Sequence, residues 1–168
     1  YAEFATWTAT SENGEKVMQK RNNHGVFYDF YLAHFAIFAG LDGVTANIAE
    51  NFPIFRLGVQ MDKQGRFIEE LKRTRSWHYS NYVVAGAGRL ATISECTGQD
   101  LWNAQLPDGR SLQTANAFLE RYADDLQAWP FPDRDHASGR FDRMKERNTT
   151  VVLLFDRGNA PSGPFELP

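Results

Sequence analysis

Two short stretches concentrate side chains that can grip an anion and move a proton. The first is Asn22-Asn23-His24-Gly25, at the mouth of a long apolar run. Free N–H groups and the dipole at a helix N-terminus favour negative charge. Amide donors and an imidazole beside such an end could hold a carboxylate. The same residues also suit a plainer role, with Asn22 or Asn23 as an N-cap and His24 in an exposed first turn. The second stretch, Lys72-Arg73-Thr74-Arg75-Ser76-Trp77-His78-Tyr79, brings cations, a histidine and a tyrosine together. Guanidinium groups bind carboxylates bidentately, and a tyrosine among cations can serve as a base. A solvated charged turn, with Trp77 and Tyr79 as core anchors, is the alternative. Taken together, the two stretches are two basic clusters, flanked by Lys20 and Arg21 and by Lys72, Arg73 and Arg75. Converging, they would make a site for an acidic substrate.

Other combinations are weaker. His34 lies mid-helix and reads as a buried histidine rather than a ligand. Asp133-Arg134-Asp135-His136 reads as a hydrophilic loop rather than a metal site. Glu69 and Glu70 are adjacent and do not face each other on a helix, so they are poor candidates for a paired-carboxylate glycosidase. Gly86-Ala87-Gly88 has no preceding strand, which excludes a dinucleotide loop and points to close helix packing. No G-x-S-x-G or Walker A pattern is present.

The elements that must position these residues are helical. Tyr1–Thr8 reads as a short helix, broken by turn formers at Ser11–Gly14. Lys16–Asn23 reads as a loop or short turn. His24–Ala39 is apolar nearly all round, the pattern of a helix buried between others, with Gly40 and Gly43 as its stop. A helix over about Val44–Val59 should kink or end at Pro53. Tyr79–Cys96 forms another, C-capped by Gly98, and Leu112–Leu126 a further one behind Ser111 as N-cap. Trp129-Pro130-Phe131-Pro132 is a rigid break. Asp133–Asn148 could be helix or loop, Val151–Phe155 a strand or a buried helix turn, and residues 156–168 an irregular tail. Strand–helix alternation is missing, so the expected class is all-α, assembled from antiparallel hairpins.

The totals set bounds. A chain of 168 residues suits one domain with its own core. A net charge of −3 argues against a generally basic nucleic-acid binder. Cys96 is the single cysteine, so neither an intramolecular disulfide nor a cysteine-based zinc cluster can form. No apolar run reaches the roughly 20 residues that span a bilayer.

Asn22 to Asp29, read as Asn-Asn-His-Gly-Val-Phe-Tyr-Asp, resembles the first signature of the alginate lyase superfamily. Glu70 to Ser80 is similar to that family's second signature, and Asp108–Leu112 and Trp129–Pro132 resemble its later landmarks. The resemblance runs from about Tyr1 to Pro132. It implies an incomplete (α/α) toroid, with further helices on the N-terminal side in family members. It also implies a lyase that cuts uronic-acid polymers by β-elimination without metal or other cofactor. Asn23 and His24 match the pair that neutralises the substrate carboxylate, and Arg73 is a better match than Arg75 for the family arginine. Tyr79 matches the catalytic tyrosine; Asn22 and His78 stand as further substrate contacts. The base could be His24 or Tyr79. The expected partner is an acidic polysaccharide, with neither nucleic acid nor membrane. The resemblance suggests a secreted or periplasmic location and leaves the oligomeric state open. Tyr28, Tyr31, Trp77 and Trp129 could stack on sugars, although most belong in a core. A non-catalytic module binding acidic polysaccharide is the alternative reading.

Overall fold

A computed structural model describes residues 1–158. The chain starts with α1 (Ala2–Thr10) and α2 (Glu12–Met18). Where the sequence suggests a turn at Ser11–Gly14, Ser11 instead N-caps α2, its Oγ accepting from the Gly14 N–H at 3.0 Å. Gly14 sits inside a helix because a Cβ there would lie 1.9 Å from the Thr8 carbonyl oxygen. The long helix α3 (Asn23–Phe38) follows, then α4 (Asp42–Phe52), which begins at Asp42 rather than Val44. Pro53 opens a wide π turn, Pro53–Leu57, that leads into the single turn α5 (Gly58–Gln60). Pro53, which has no N–H to give the preceding turn, thus marks the boundary of α4.

A short α6 (Ile68–Leu71) leads to α7 (Ser76–Ser94). That helix starts before Tyr79, so Ser76–Tyr79 of the second candidate stretch form its first turn while Lys72–Arg75 make the turn between α6 and α7. It ends in a 3-10 turn, with Gly98 left-handed at φ 74°. Ser111 caps α8 (Leu112–Ala123), which stops short of Leu126. After the proline break come α9 (Arg134–Ala137) and α10 (Phe141–Gly158). The β-branched run Val151–Phe155 lies within α10, so it is helix and not strand. The expected tail at 156–168 is helical through Gly158, and its remainder lies outside the described residues. Among the described residues, β pairing amounts to three isolated bridges.

Three helices stand side by side and run parallel. Phe27 of α3 packs on Tyr82 of α7 with ring centroids 4.2 Å apart, and a Cβ on Gly86 would lie 2.8 Å from the same ring. The glycine therefore permits the close helix approach that its place in a helical pattern suggested. On the other flank of α7, the Trp77 indole donates to the Met144 carbonyl oxygen at 2.6 Å and Asn148 Nδ2 donates to Asn81 Oδ1 at 2.8 Å. Gly88 faces Leu154. Contacts thus advance in the same direction along both helices. Helices α4 and α8 return antiparallel behind this row, giving an all-α, incomplete (α/α) toroid of helical hairpins. The main core fills the space between, around Trp77, Phe52, Leu57, Leu90, Leu112 and Met144, each at most 1% exposed. Helix α3 is not buried on every side: Tyr31 and Phe38 remain 48% and 63% exposed. His34 is half-buried against Phe30 and Phe38 rather than enclosed.

Candidate active site

The N-termini of α3 and α7 carry the two candidate stretches. At α3, Asn22 is the N-cap and its Oδ1 accepts from the His24 N–H at 3.1 Å. That use of its side chain is structural. Asn23 is buried and His24 is exposed at the mouth. Gly25 is required by its surroundings, since a Cβ would lie 2.2 Å from the Lys20 carbonyl oxygen and 2.7 Å from Arg56 Nη1. Arg56 is the strut of this end. Its Nε and Nη2 hold Asp29 at 2.6 and 2.8 Å, and its Nη1 donates to the Met18 carbonyl oxygen at 2.9 Å. Burial raises the Asp29 pKa above the usual carboxylate range, and the guanidinium acts against that rise. The Tyr28 hydroxyl donates to the Thr8 carbonyl oxygen at 3.2 Å. Within the stretch 22–29, then, Asn22, Gly25, Tyr28 and Asp29 build the helix end, and His24 stands free on it.

At α7, Asp133 takes the capping position that local sequence does not supply. Its Oδ2 accepts from the Trp77 N–H at 2.9 Å, and its Oδ1 accepts from the N–H groups of Asp135 and His136 at 2.8 and 3.1 Å. Trp129 donates through Nε1 to Ser76 Oγ at 2.9 Å and meets Trp77 edge-on at 4.9 Å. The 133–136 segment therefore clamps the helix start through the buried Asp133, with Asp135 also buried and Arg134 exposed. Trp77 and Trp129 are 0% and 3% exposed and Tyr28 is 8% exposed, so these three are core, while Tyr31 is open to solvent. Arg110, the central residue of the Asp108–Leu112 landmark, ties its turn to the π bend by donating to the Leu57, Gly58 and Met61 carbonyl oxygens.

The two arginines separate clearly. Arg75 lies 3.4 Å from the buried Asp135 carboxylate. Arg73 instead lays its guanidinium on the Tyr79 ring, 3.7 Å from the centroid. His78 packs beside Tyr79 and over Tyr82. Burial first, then the charges of Arg147 and Arg75, hold the His78 pKa below its ordinary value; Asp135 and Asp133 act in the opposite sense. A neutral imidazole is the result at neutral pH.

Between the two ends lies a residue that sequence reasoning set aside. Glu70, on α6, is 1% exposed. Its Oε1 accepts from the Asn23 backbone N–H at 2.5 Å, and Asn23 Nδ2 lies 3.0 and 2.9 Å from Oε1 and Oε2. Burial raises its pKa, opposed by the Asn23 hydrogen bonds and by the charges of Arg73 and His24. Glu70 thus bonds Asn23 and lies under the charges of His24 and Arg73, and Arg73 rests on the Tyr79 ring. Its neighbour Glu69 faces solvent and pairs with Lys72. The sequence signal was present only as a contrast: in one turn of helix, adjacent glutamates point to different surroundings.

A groove of about 530 Å³ opens beside Asn23 and His24, walled by Phe27, Tyr31 and Tyr82 together with Trp7. A larger hollow of about 990 Å³ lies between α3 and α4 and does not reach His24, and neither Arg73 nor Tyr79 lines either space. Among the described residues, no three His, Cys, Asp or Glu side chains group as a metal site, and no helix is long and apolar enough to cross a membrane.

The fold is thus an all-helical arc, with amide, imidazole, guanidinium and phenol groups gathered at or just before the starts of α3 and α7. The chain belongs to the alginate lyase family, whose model matches residues 1–129. It is also similar in structure to an alginate lyase from Bacteroides ovatus, with a TM-score of 0.84 and 27% sequence identity. That match covers 93% of this chain and 41% of the other, so this chain spans less than half the length of that relative. No curated protein matches it in sequence.

Proposed function

We propose that this chain carries the catalytic groups of a polysaccharide lyase that cleaves a uronic-acid polymer, alginate or glucuronan, by β-elimination. The observation that supports this reading best is the Glu70 carboxylate, hydrogen-bonded to Asn23 and under the charges of His24 and Arg73, with Arg73 lying on the Tyr79 ring. The proton to be removed is on C5, next to a carboxylate. It is weakly acidic while that carboxylate keeps its full charge. Donors from Asn23, His24 and Arg73 would stabilise the enolate-like state that forms when the proton leaves. The electron pair of the C5–H bond then becomes the C4–C5 double bond, and the C4–O4 bond breaks. Tyr79 delivers a proton to the departing O4. Tyr79 also takes the C5 proton where the two groups lie on the same side of the ring; His24 takes it where they lie on opposite sides. The family membership and the Bacteroides relative support the polymer class. A polymer of this kind is met outside the cytoplasm, so the reading goes with secretion or a periplasmic place.

The test is the absorbance of new unsaturated uronate ends on alginate and on glucuronan. Tyr79→Phe is expected to lower kcat by about 100-fold or more, and His24→Ala by a similar factor on at least one polymer, by the usual scale of acid–base and charge-stabilising groups. Variants that fold and keep full activity would sink the mechanism. Retention on an alginate column without unsaturated ends would mark a binding module instead.

A further inference from the structure

Glu70 is a buried carboxylate with no part in the mechanism above, and its surroundings give it one. Among the described residues, every hydrogen bond its carboxylate accepts comes from Asn23. An ionised carboxylate accepts and never donates, so the Asn23 amide must turn its NH2, and not its carbonyl, toward Glu70. Nδ2 is nearly equidistant from the two oxygens, at 3.0 and 2.9 Å. Seen from Nδ2, two oxygens of one carboxylate subtend a much smaller angle than the spread of its two N–H bonds. One hydrogen shared by both oxygens therefore fits better than one hydrogen on each. The second hydrogen is left for another acceptor, and Asn23 lines the groove beside His24. Glu70 also anchors the other half of the site, because its backbone carbonyl accepts from the Arg73 N–H at 3.2 Å.

We propose that Glu70 is a positioning residue: its ionised carboxylate turns the Asn23 amide so that one N–H is aimed at the substrate carboxylate, and it sets Arg73 in register with that N–H. The proposal rests on the lyase reading for its kinetic consequence, but not for its geometry. It also gives a reason for a buried charge at a site built to receive an anion. Replacing Glu70 by Gln would set an NH2 against the Asn23 NH2. The Asn23 amide would then have to rotate, and the aimed N–H would be lost.

Glu70→Gln and Glu70→Asp decide it, through lyase kinetics and through 15N NMR of this chain. Glu70→Gln is expected to lower kcat by about 100-fold with KM within about threefold, the pattern of a contact made mainly in the transition state. Glu70→Asp, which keeps the charge, is expected to recover about a tenth of the wild-type rate or more. In the wild type, the Asn23 side-chain NH2 signals should move together with the Asn23 backbone amide as Glu70 titrates. In Glu70→Gln that movement should vanish. Wild-type kcat in a folded Glu70→Gln protein overturns the proposal. So does an Asn23 NH2 pair in the wild type that ignores the ionisation of Glu70. Should Glu70→Gln fail to fold, the wild-type titration and the kcat of Glu70→Asp give the answer. Should the wild type make no unsaturated ends, the lyase reading fails, while the titration alone still upholds or overturns the Glu70–Asn23 geometry.

Discussion

The two helix ends that meet at the site are held by different forces. The start of α3 is held by charge: Arg56 grips Asp29 and two backbone carbonyls, and Glu70 sits on the Asn23 N–H groups. The start of α7 is held mainly by aromatic packing and neutral hydrogen bonds through Trp77, Trp129, Ser76 and the Met144 carbonyl, with one carboxylate from Asp133. A buried ion pair fails abruptly, because losing one partner strands the other charge in a medium that solvates it poorly. Packed aromatics fail by degrees, since each contact contributes little and neighbours relax. The exposed His24 therefore stands on the brittle end, and the half-buried Tyr79 on the graded one.

Asp29→Ala should break the contrast most severely. It leaves Arg56 buried and unpaired, and a loss of about 3–5 kcal/mol is expected in denaturant unfolding. A loss below about 1 kcal/mol would show that the α3 end does not depend on that pair. Trp129→Phe should be milder. It keeps most of the ring and loses the bond to Ser76, for about 1–2 kcal/mol. A loss as large as that of Asp29→Ala would abolish the distinction between the two ends.

The smallest effect is in pH. The folded His78 pKa lies below its ordinary value, so between that ordinary value and the folded one the unfolded chain binds more protons. Stability should fall as pH drops from about 6.5, the unperturbed histidine value. Glu70 and Asp29 have the opposite sign, because burial raises both carboxylates. Their contribution declines as pH rises from the ordinary carboxylate range through the raised values. Unfolding curves of wild type and His78→Gln should differ in slope just below pH 6.5 and run parallel well above it. Equal slopes in that lower window would exclude His78 as the cause.

Legibility followed the range of the interactions. The caps at Ser11, Asn22 and Ser111 use side chains within three residues of the N–H they serve, although a cap at Ser11 was masked by turn-forming neighbours. The helical class and the boundary at Pro53 rest on spacing and on a missing N–H, which are local properties. The choice between Arg73 and Arg75 was not local. Two positions apart on the chain, one guanidinium lies on a ring and the other on a carboxylate carried in from the 130s. The same holds for the 133–136 segment, whose composition is that of a loop and whose burial at Asp133 comes from the helix it clamps. Glu70 escaped because a glutamate in a charged run is usually solvated, and nothing nearby in sequence reveals the buried Asn23 opposite it.

Sequence alone determined that this chain is helical, that its candidate site residues fall in 22–29 and 70–80, and that these resemble an alginate lyase. Residue type and short-range spacing set all three. Tertiary structure decided which of those side chains are support and which stand open to solvent. It placed Glu70 between Asn23 and Arg73, tied up Arg75, and buried Trp77 and Trp129. The physical reason is that burial and pairing of a charge depend on chain arriving from tens of residues away, and no local pattern encodes what will arrive.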